Sequence, residues 1–432
     1  MTARTALRIA LPVLLASVIA MPTLLNQPSA PAATPVTAQP VVVAPQLALA
    51  ASSSQTAAVR DHLTALLSTS TSALRSSAVD VDGLGVVLRQ GSEVLPASTE
   101  KLFTSVAALK ALGPAARMLT TVRAPLAQQG ALQPGSLYLV GGGDPFFNGA
   151  QLEALAAGVR AAGITRIGGA LVVDDLRYDA QRRAPGWKTE FVPDESGPLS
   201  ALAVDGNRWR KDSAYLSDPG IPTLQRFRDL LIKHGVAVGT RLLSGTTPAS
   251  ARTVTSQRSA PMEAIVRKVD KYSDNFGAEL LLKEVGHRVE GTGTSAAGAR
   301  AVESLLGAMK INVGSVYDGS GLSSKDRQSA AGEVSLLNAV LGTSLAAPLR
   351  SALPIACKDG TLKQRMCSTA AAGRADAKTG TLPGTYALSG YTTTADGHTV
   401  RFSFLLSRSS SGSKARAAID ACVVYLSALR LG

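Results

Sequence analysis

The stretch PASTEKLFTSVAAL, from Pro96 to Leu109, puts Ser98 three residues before Lys101 at the head of an apolar run. Leu102, Val106, Leu109 and Leu112 recur at helical spacing, which predicts a helix with one apolar face ending at Gly113–Pro114. Positions three apart on a helix share a face, with Cβ atoms roughly 5–6 Å apart. The Lys101 amine can therefore reach the Ser98 hydroxyl. Taken alone, a serine here is usually a helix cap and the lysine a surface charge.

Two distant tripeptides change that reading. Ser273-Asp274-Asn275 stands just before a helical run in YSDNFGAELL, and Lys378-Thr379-Gly380 heads a strand-like run in DAKTGTLPGTYALSGY. The trio S-x-x-K, S-D-N and K-T-G, in this order, marks the serine acyl enzymes of the penicillin-binding and β-lactamase type. A free serine is a poor nucleophile, and a lysine can serve as its base once burial or a second cation lowers its proton affinity.

Each catalytic candidate then has a physical task. Ser98 attacks a carbonyl, Lys101 takes its proton, and Ser273 relays a proton to the departing amine. Asn275 orients a substrate amide and helps fix Lys101. Lys378 supplies a fixed positive charge for a substrate carboxylate and disfavours protonation of Lys101. The hydroxyls of Thr379 and Thr381 hydrogen-bond that carboxylate, and Gly380 lets the strand edge approach the substrate backbone. The backbone N–H groups of Ser98 and Thr381 form the oxyanion site, where losing one donor costs about 3–4 kcal/mol of barrier in comparable enzymes.

The chain has 432 residues, enough for two or three domains, with 45% hydrophobic and 17% charged residues. Its net charge of +13 suits an anionic environment. Nucleic acid is disfavoured as the partner, because aromatics are only 4% and no nucleic-acid-binding signature appears. Arg4 and Arg8 precede an apolar run from Ile9 to about Leu25, so residues 1–33 read as a secretory signal or an N-terminal anchor able to associate with a membrane. Residues 34–58, rich in Ala and Pro, read as an extended spacer. The protein is thus expected outside the cytoplasmic membrane, in the periplasm or cell wall.

Residues 59–112 and 262–432 look like one mixed α/β catalytic domain, interrupted by a strand-rich insert over 113–261. In that insert only the region around Gln151 to Ala162 reads as a long amphipathic helix. VDGLGVVLRQGSEVLPAST reads as two short strands joined near Gln90–Ser92. ADGH, with Gly397, reads as a hairpin turn between TYALSGYTTT and TVRFSFLLSRS. Cys357 and Cys367, ten positions apart, could close a loop, leaving Cys422 in a terminal helix; pairings with Cys422 stay open. The four histidines His62, His234, His287 and His398 form no ligand-spaced pair, so no metal or other cofactor is expected.

Beyond the three motifs, GGGDP, GPLSALAVDGN, YDGSGLSS and DGTLKQRM complete a pattern that closely resembles the S13 peptidase family over about residues 60–430. These are the D-alanyl-D-alanine carboxypeptidases/endopeptidases of the class C, type-4 penicillin-binding proteins. The intervals also fit that family: 175 residues from Ser98 to Ser273 and 105 from Ser273 to Lys378. A class A β-lactamase has a much shorter first interval. The resemblance implies an α+β transpeptidase-like core, an antiparallel sheet flanked by helices, carrying inserted domains. It also implies catalytic roles for Ser98, Lys101, Ser273, Asn275, Lys378, Thr379 and Gly380. The implied activity removes the terminal D-Ala from peptidoglycan stem peptides, or cleaves their crosslinks, with β-lactam antibiotics as covalent inhibitors. A serine β-lactamase is the alternative, and a non-catalytic wall-binding scaffold a weaker one. Asp318 in YDGSGL reads as a supporting residue, and Asp326 stands where many relatives are expected to carry Asn.

Overall fold

The alternating pattern of TVRFSFLLSRS shows how the main sheet is covered. The computed structural model describes residues 44–432, with side chains from residue 53 onward. In the strand Thr399–Ser409, Val400, Phe402, Phe404 and Leu406 point into one core, while Leu405 points into another on the opposite face. A strand buried on both faces needs a helical layer on each side. The first layer is the C-terminal helix Gly412–Ala428 together with the helix Ala44–Ser68, whose Val59, Leu63 and Leu67 join Ile419, Cys422 and Val423. The second includes the helix Ala330–Val340, through Ala330 and Val334.

The sheet has five antiparallel strands in the order Asp376–Leu382, Thr385–Thr393, Thr399–Ser409, Ser72–Val81, Gly85–Gln90. The K-T-G strand Asp376–Leu382 therefore lies at an edge. Beside the sheet sits a mainly helical core, in which Lys101–Leu112, Met262–Tyr272, Asn275–Glu290 and Ser295–Gly307 pack their apolar side chains together. This is the antiparallel sheet flanked by helices that the sequence leads one to expect. A second sheet of five strands is built wholly from residues 119–258, with two helices, Gly149–Ala161 and Gly220–Lys233, on its apolar side. Residues 49–432 cluster as one unit.

Several local expectations need correction. The helix Ala44–Ser68 runs through the second half of the stretch read as an extended spacer; an Ala-rich segment has high helix propensity, and Pro45 falls in the first turn, where it is tolerated. Residues 1–33 lie outside the described residues, and no described helix is long and apolar enough to cross a membrane. The first hairpin turns at Asp82–Leu84, with Gly83 and Gly85 at positive φ, rather than near Gln90–Ser92. The helix Gly220–Lys233 escapes notice because Pro219 and Pro222 crowd its start, yet Leu224, Phe227 and Leu231 bury one face. The helix after Ser98 is buried all round from Lys101 to Leu109, so it is a core helix without a solvated face. ADGH does form the hairpin turn, with φ of 96° at Gly397. Cys357 and Cys367 are joined as a disulfide, and Cys422 is free and buried.

The helix Asn275–Glu290, which carries Asn275 at its first position, packs closely on Ser295–Gly307 because Gly298 has no side chain. A Cβ there would lie 2.2 Å from the Leu282 carbonyl oxygen. Gly298→Ala should therefore destabilise the protein by about 1–3 kcal/mol, read as a lowered thermal unfolding midpoint; an unchanged midpoint would contradict this packing.

Candidate active site

The nucleophile turn is built by local strain and pinned on both sides. Ala97 has φ of 49°, in the left-handed region that non-glycine residues seldom adopt. Thr99 donates its hydroxyl to Glu333 Oε1 at 2.6 Å, and Gln328 donates to Glu100 Oε2 at 3.1 Å. Ser98, held between them, makes no capping bond and stands partly exposed at the start of the helix. Gly321, at φ 79°, touches this turn so closely that a Cβ would sit 1.9 Å from the Ala97 carbonyl oxygen.

The S-D-N tripeptide is a junction of two helices. Ser273 ends the helix Met262–Tyr272 in the left-handed conformation, and Asp274 caps the next by accepting from Gly277 N–H at 2.6 Å. Asn275 is then the first helical residue, so two caps aim the flanking side chains the same way. The K-T-G strand reaches the nucleophile turn through Gly380, where a Cβ would lie 2.8 Å from the Pro96 carbonyl oxygen and 3.3 Å from Ala97 Cβ. Glycine is therefore needed for the strand to approach the Ser98 turn, as well as for the approach to substrate expected from the sequence.

These three segments converge. Lys101 is wholly buried, and its Nζ lies 3.0 Å from Ser98 Oγ, 2.8 Å from Asn275 Oδ1 and 2.6 Å from the Ser320 carbonyl oxygen. Two of these three neighbours can only accept. A neutral amine has two hydrogens and one lone pair, so its hydrogens go to Asn275 and Ser320 and its lone pair faces the Ser98 hydroxyl. Burial lowers the Lys101 pKa to about 8, against the opposing pull of Asp318, Glu279, Asp270 and Asp274.

Lys378, also wholly buried, donates to Ser273 Oγ at 2.9 Å and to the Thr379 carbonyl oxygen at 2.9 Å. Burial first, then the Lys101 charge, push its pKa down, while Asp270 pulls it up. Burial is the first cause for both lysines, bringing Lys378 to about 7 and Lys101 to about 8, and the repulsion between two ammonium groups disfavours holding both protons at once. Ser273 accepts from Lys378, which leaves its own hydrogen free to donate. Thr379 shares a 2.7 Å hydroxyl contact with Thr361, and Thr381 is exposed.

A cavity of about 850 Å³ opens over this arrangement, lined by Ser98, Ser273, Asn275, Thr361, Thr379 and Thr381 and by apolar Phe191, Leu322 and Leu382. Neither lysine is part of the lining. Lys378, expected to supply a fixed positive charge for a substrate carboxylate, is wholly buried on the edge strand and adjoins the cavity through Ser273, whose hydroxyl oxygen accepts from it. Ser98 and Thr381, whose N–H groups are the expected oxyanion donors, both border the cavity.

Apart from Asp318, already read from YDGSGL as a supporting residue, the motifs do not reveal the groups that hold the site from behind. Ser320, whose carbonyl takes one hydrogen of Lys101, is held by Glu279, which accepts from Gly319 and Ser320 N–H at 2.9 Å each. Asp318 accepts from Trp187 Nε1 at 2.7 Å, Ser320 Oγ at 2.9 Å and Gly321 N–H at 2.7 Å, tying the middle of the chain to the catalytic loop. Asp326 accepts from Tyr317 N–H, and burial beside Asp318 raises its pKa strongly. Glu195 is near Asn275 Nδ2 at 3.3 Å. YDGSGLSS and DGTLKQRM, which hold Ser320 and Thr361, signal the family but not these contacts.

The fold and the paired serine–lysine groups define a serine acyl enzyme of the penicillin-binding type. The family model described as D-Ala-D-Ala carboxypeptidase 3 (S13) matches residues 80–220 and 209–429, and the chain belongs to that family. A D-alanyl-D-alanine carboxypeptidase from Actinomadura sp. is 30% identical, the match covering 78% of this chain and 77% of that protein. Carboxypeptidase DacB from Mycolicibacterium smegmatis is 31% identical over 80% of this chain and 78% of its own. The crystal structure of penicillin binding protein 4 from Haemophilus influenzae has the same fold, with a TM-score of 0.75 at 22% identity, covering 84% of this chain and 98% of that one. The resemblance read from the motifs is borne out for family, fold and class of enzyme.

Two results are expected from this geometry. A base with a pKa of about 8 is roughly one-tenth neutral at pH 7 and half neutral at pH 8, so the acylation rate of Ser98 should rise about fivefold across that unit. A flat profile over pH 6–9 would contradict Lys101 as the base. Gly380→Ala should force the strand off the Ser98 turn and slow acylation by about 100-fold, the scale set by ångström misplacements; a parent-like rate would show that the contact is slack.

Proposed function

We propose that this chain is a penicillin-sensitive serine D-Ala-D-Ala carboxypeptidase acting through an acyl-enzyme on Ser98. The observation that carries the reading is the buried Lys101 amine 3.0 Å from Ser98 Oγ, flanked by two carbonyl acceptors that take two hydrogens, so that in its neutral form the lone pair turns to Ser98. Ser98 Oγ bonds to the penultimate D-Ala carbonyl carbon as its proton passes to Lys101 Nζ. The oxygen that becomes negative is met by the Ser98 and Thr381 N–H groups, and the peptide C–N bond then breaks. Ser273 relays a proton to the leaving amine, giving its own and recovering the one held by Lys101, while Lys378 donates to the serine oxygen. Thr379 and Thr381 bind the terminal carboxylate, with the Lys378 charge behind them. Water then attacks the ester carbon, Lys101 taking its proton and returning it to Ser98 Oγ as the ester C–O bond breaks. In a crosslink the amine that departs belongs to a neighbouring stem peptide, and the same acyl-transfer steps serve DD-endopeptidase cleavage.

The site of action inferred is outside the cytoplasmic membrane. The Cys357–Cys367 disulfide suits an oxidising compartment, and the +13 charge suits an anionic wall. Association with the membrane through residues 1–33 is part of the same proposal. Fluorescent penicillin should label the parent covalently and fail to label Ser98→Ala. Labelling that survives the change would overturn the assignment, and sustained penicillin hydrolysis would point to a β-lactamase instead.

A further inference from the structure

One carboxylate in the cavity comes from outside the three motifs and touches one of them. Glu195 follows the short helix Phe191–Asp194, in the stretch between Ser98 and Ser273, and lines the cavity beside Asn275. Its Oε2 lies 3.3 Å from Asn275 Nδ2, and its own backbone oxygen lies 3.4 Å from the same nitrogen. That backbone oxygen is held in place, since Arg208 Nη2 donates to it at 2.6 Å. Glu195 N–H in turn donates to the Phe191 carbonyl oxygen at 2.9 Å. The nitrogen end of the Asn275 carboxamide thus faces two oxygens that only accept, while its oxygen end lies 2.8 Å from Lys101 Nζ.

The two ends of a carboxamide have nearly the same size, so hydrogen bonding rather than shape chooses between them. With Lys101 as an ammonium, the choice is made by its N–H donors, which demand an acceptor and draw Oδ1 towards them. With Lys101 neutral that demand weakens. A carboxamide turned by half a rotation would donate Nδ2–H to the amine lone pair, and Ser98 would lose its base. The neutral form is the one that activates Ser98, so the restraint has to come from the other side of Asn275. Glu195 supplies it. In the turned state Asn275 Oδ1 would stand against the Glu195 carboxylate and carbonyl, with no hydrogen among them.

We propose that Glu195 is a positioning residue for the nucleophile: it fixes which way the Asn275 carboxamide points, and so keeps the lone pair of neutral Lys101 for Ser98. The inference rests on the role given above to Lys101 as the base. It gives the stretch between the first two motifs a part in catalysis that needs no contact with substrate.

The test compares three variants in acylation by penicillin and in hydrolysis of a D-Ala-D-Ala peptide. Glu195→Met keeps the length but loses the side-chain acceptor, and should slow both reactions by about tenfold, the scale of one hydrogen bond to a charged group. Glu195→Lys should slow both by about 100-fold, because its ammonium pairs only with Oδ1 and turns the carboxamide round. Glu195→Gln still offers a carbonyl oxygen and should restore both rates to within about threefold of the parent. Charge alone predicts the opposite direction, since removing an anion or adding a cation favours neutral Lys101. Parent-like rates in Glu195→Lys would overturn the proposal. So would a Glu195→Gln as slow as Glu195→Met, or a loss confined to the peptide, since either would mean that the carboxylate meets substrate. A second measurement does not use activity. In protein labelled with 15N-asparagine, the Asn275 side-chain proton facing the carboxylate, assigned by its absence in Asn275→Ser, should move upfield in Glu195→Met; an unmoved signal would also overturn the proposal. Failure of the nucleophile reading would show separately, as penicillin labelling of Ser98→Ala.

Discussion

The structure depends on keeping a lysine amine dry, easily deprotonated and aimed. A lysine in water is protonated at neutral pH and has no lone pair to offer. Lys101 is taken wholly out of water at the first position of a core helix, and this alone brings its pKa down to about 8. Burial without direction would be useless, because a free amine rotates. The Asn275 side chain and the Ser320 carbonyl remove that freedom by taking both hydrogens.

Much of the surrounding architecture serves this small geometry. The left-handed turn at Ala97 presents Ser98, and Glu333 and Gln328 hold its neighbours from a helix and a loop behind. Burial raises Glu333 to about 7 and Glu279 to about 8, so the layer beneath the nucleophile stays poor in negative charge near neutral pH. Excess negative charge there would draw a proton back onto Lys101. Trp187, reaching from the middle of the chain to Asp318, makes the catalytic loop depend on a segment that supplies none of the three motifs.

The parts of the site that could be read from sequence are those whose chemistry is local. Ser98 and Lys101 share one helical turn, S-D-N is a pair of caps, and K-T-G opens a strand; each has a short-range physical signature. Side-chain identity could not reveal a backbone acceptor such as the Ser320 carbonyl, because every residue has one. Glu195 is equally silent, since a single acid in a loop reads as surface until its contact with Asn275 is known. The need for Gly380 was legible as a close approach, but the neighbour it meets is Pro96, set by tertiary packing. Among the fold elements, alternating strands and the terminal helix were clear. The helix Gly220–Lys233 and the helical start at Ala44 were hidden by prolines, whose positions are harmless in a first turn.

The most direct test of the central claim is to titrate the Lys101 amine itself, by 15N NMR of lysine-labelled protein with Lys101→Met to assign the signal. An amine losing its proton near pH 8 is the predicted result. A resonance that remains ammonium above pH 10 would contradict it, and with it the account of how Ser98 is activated.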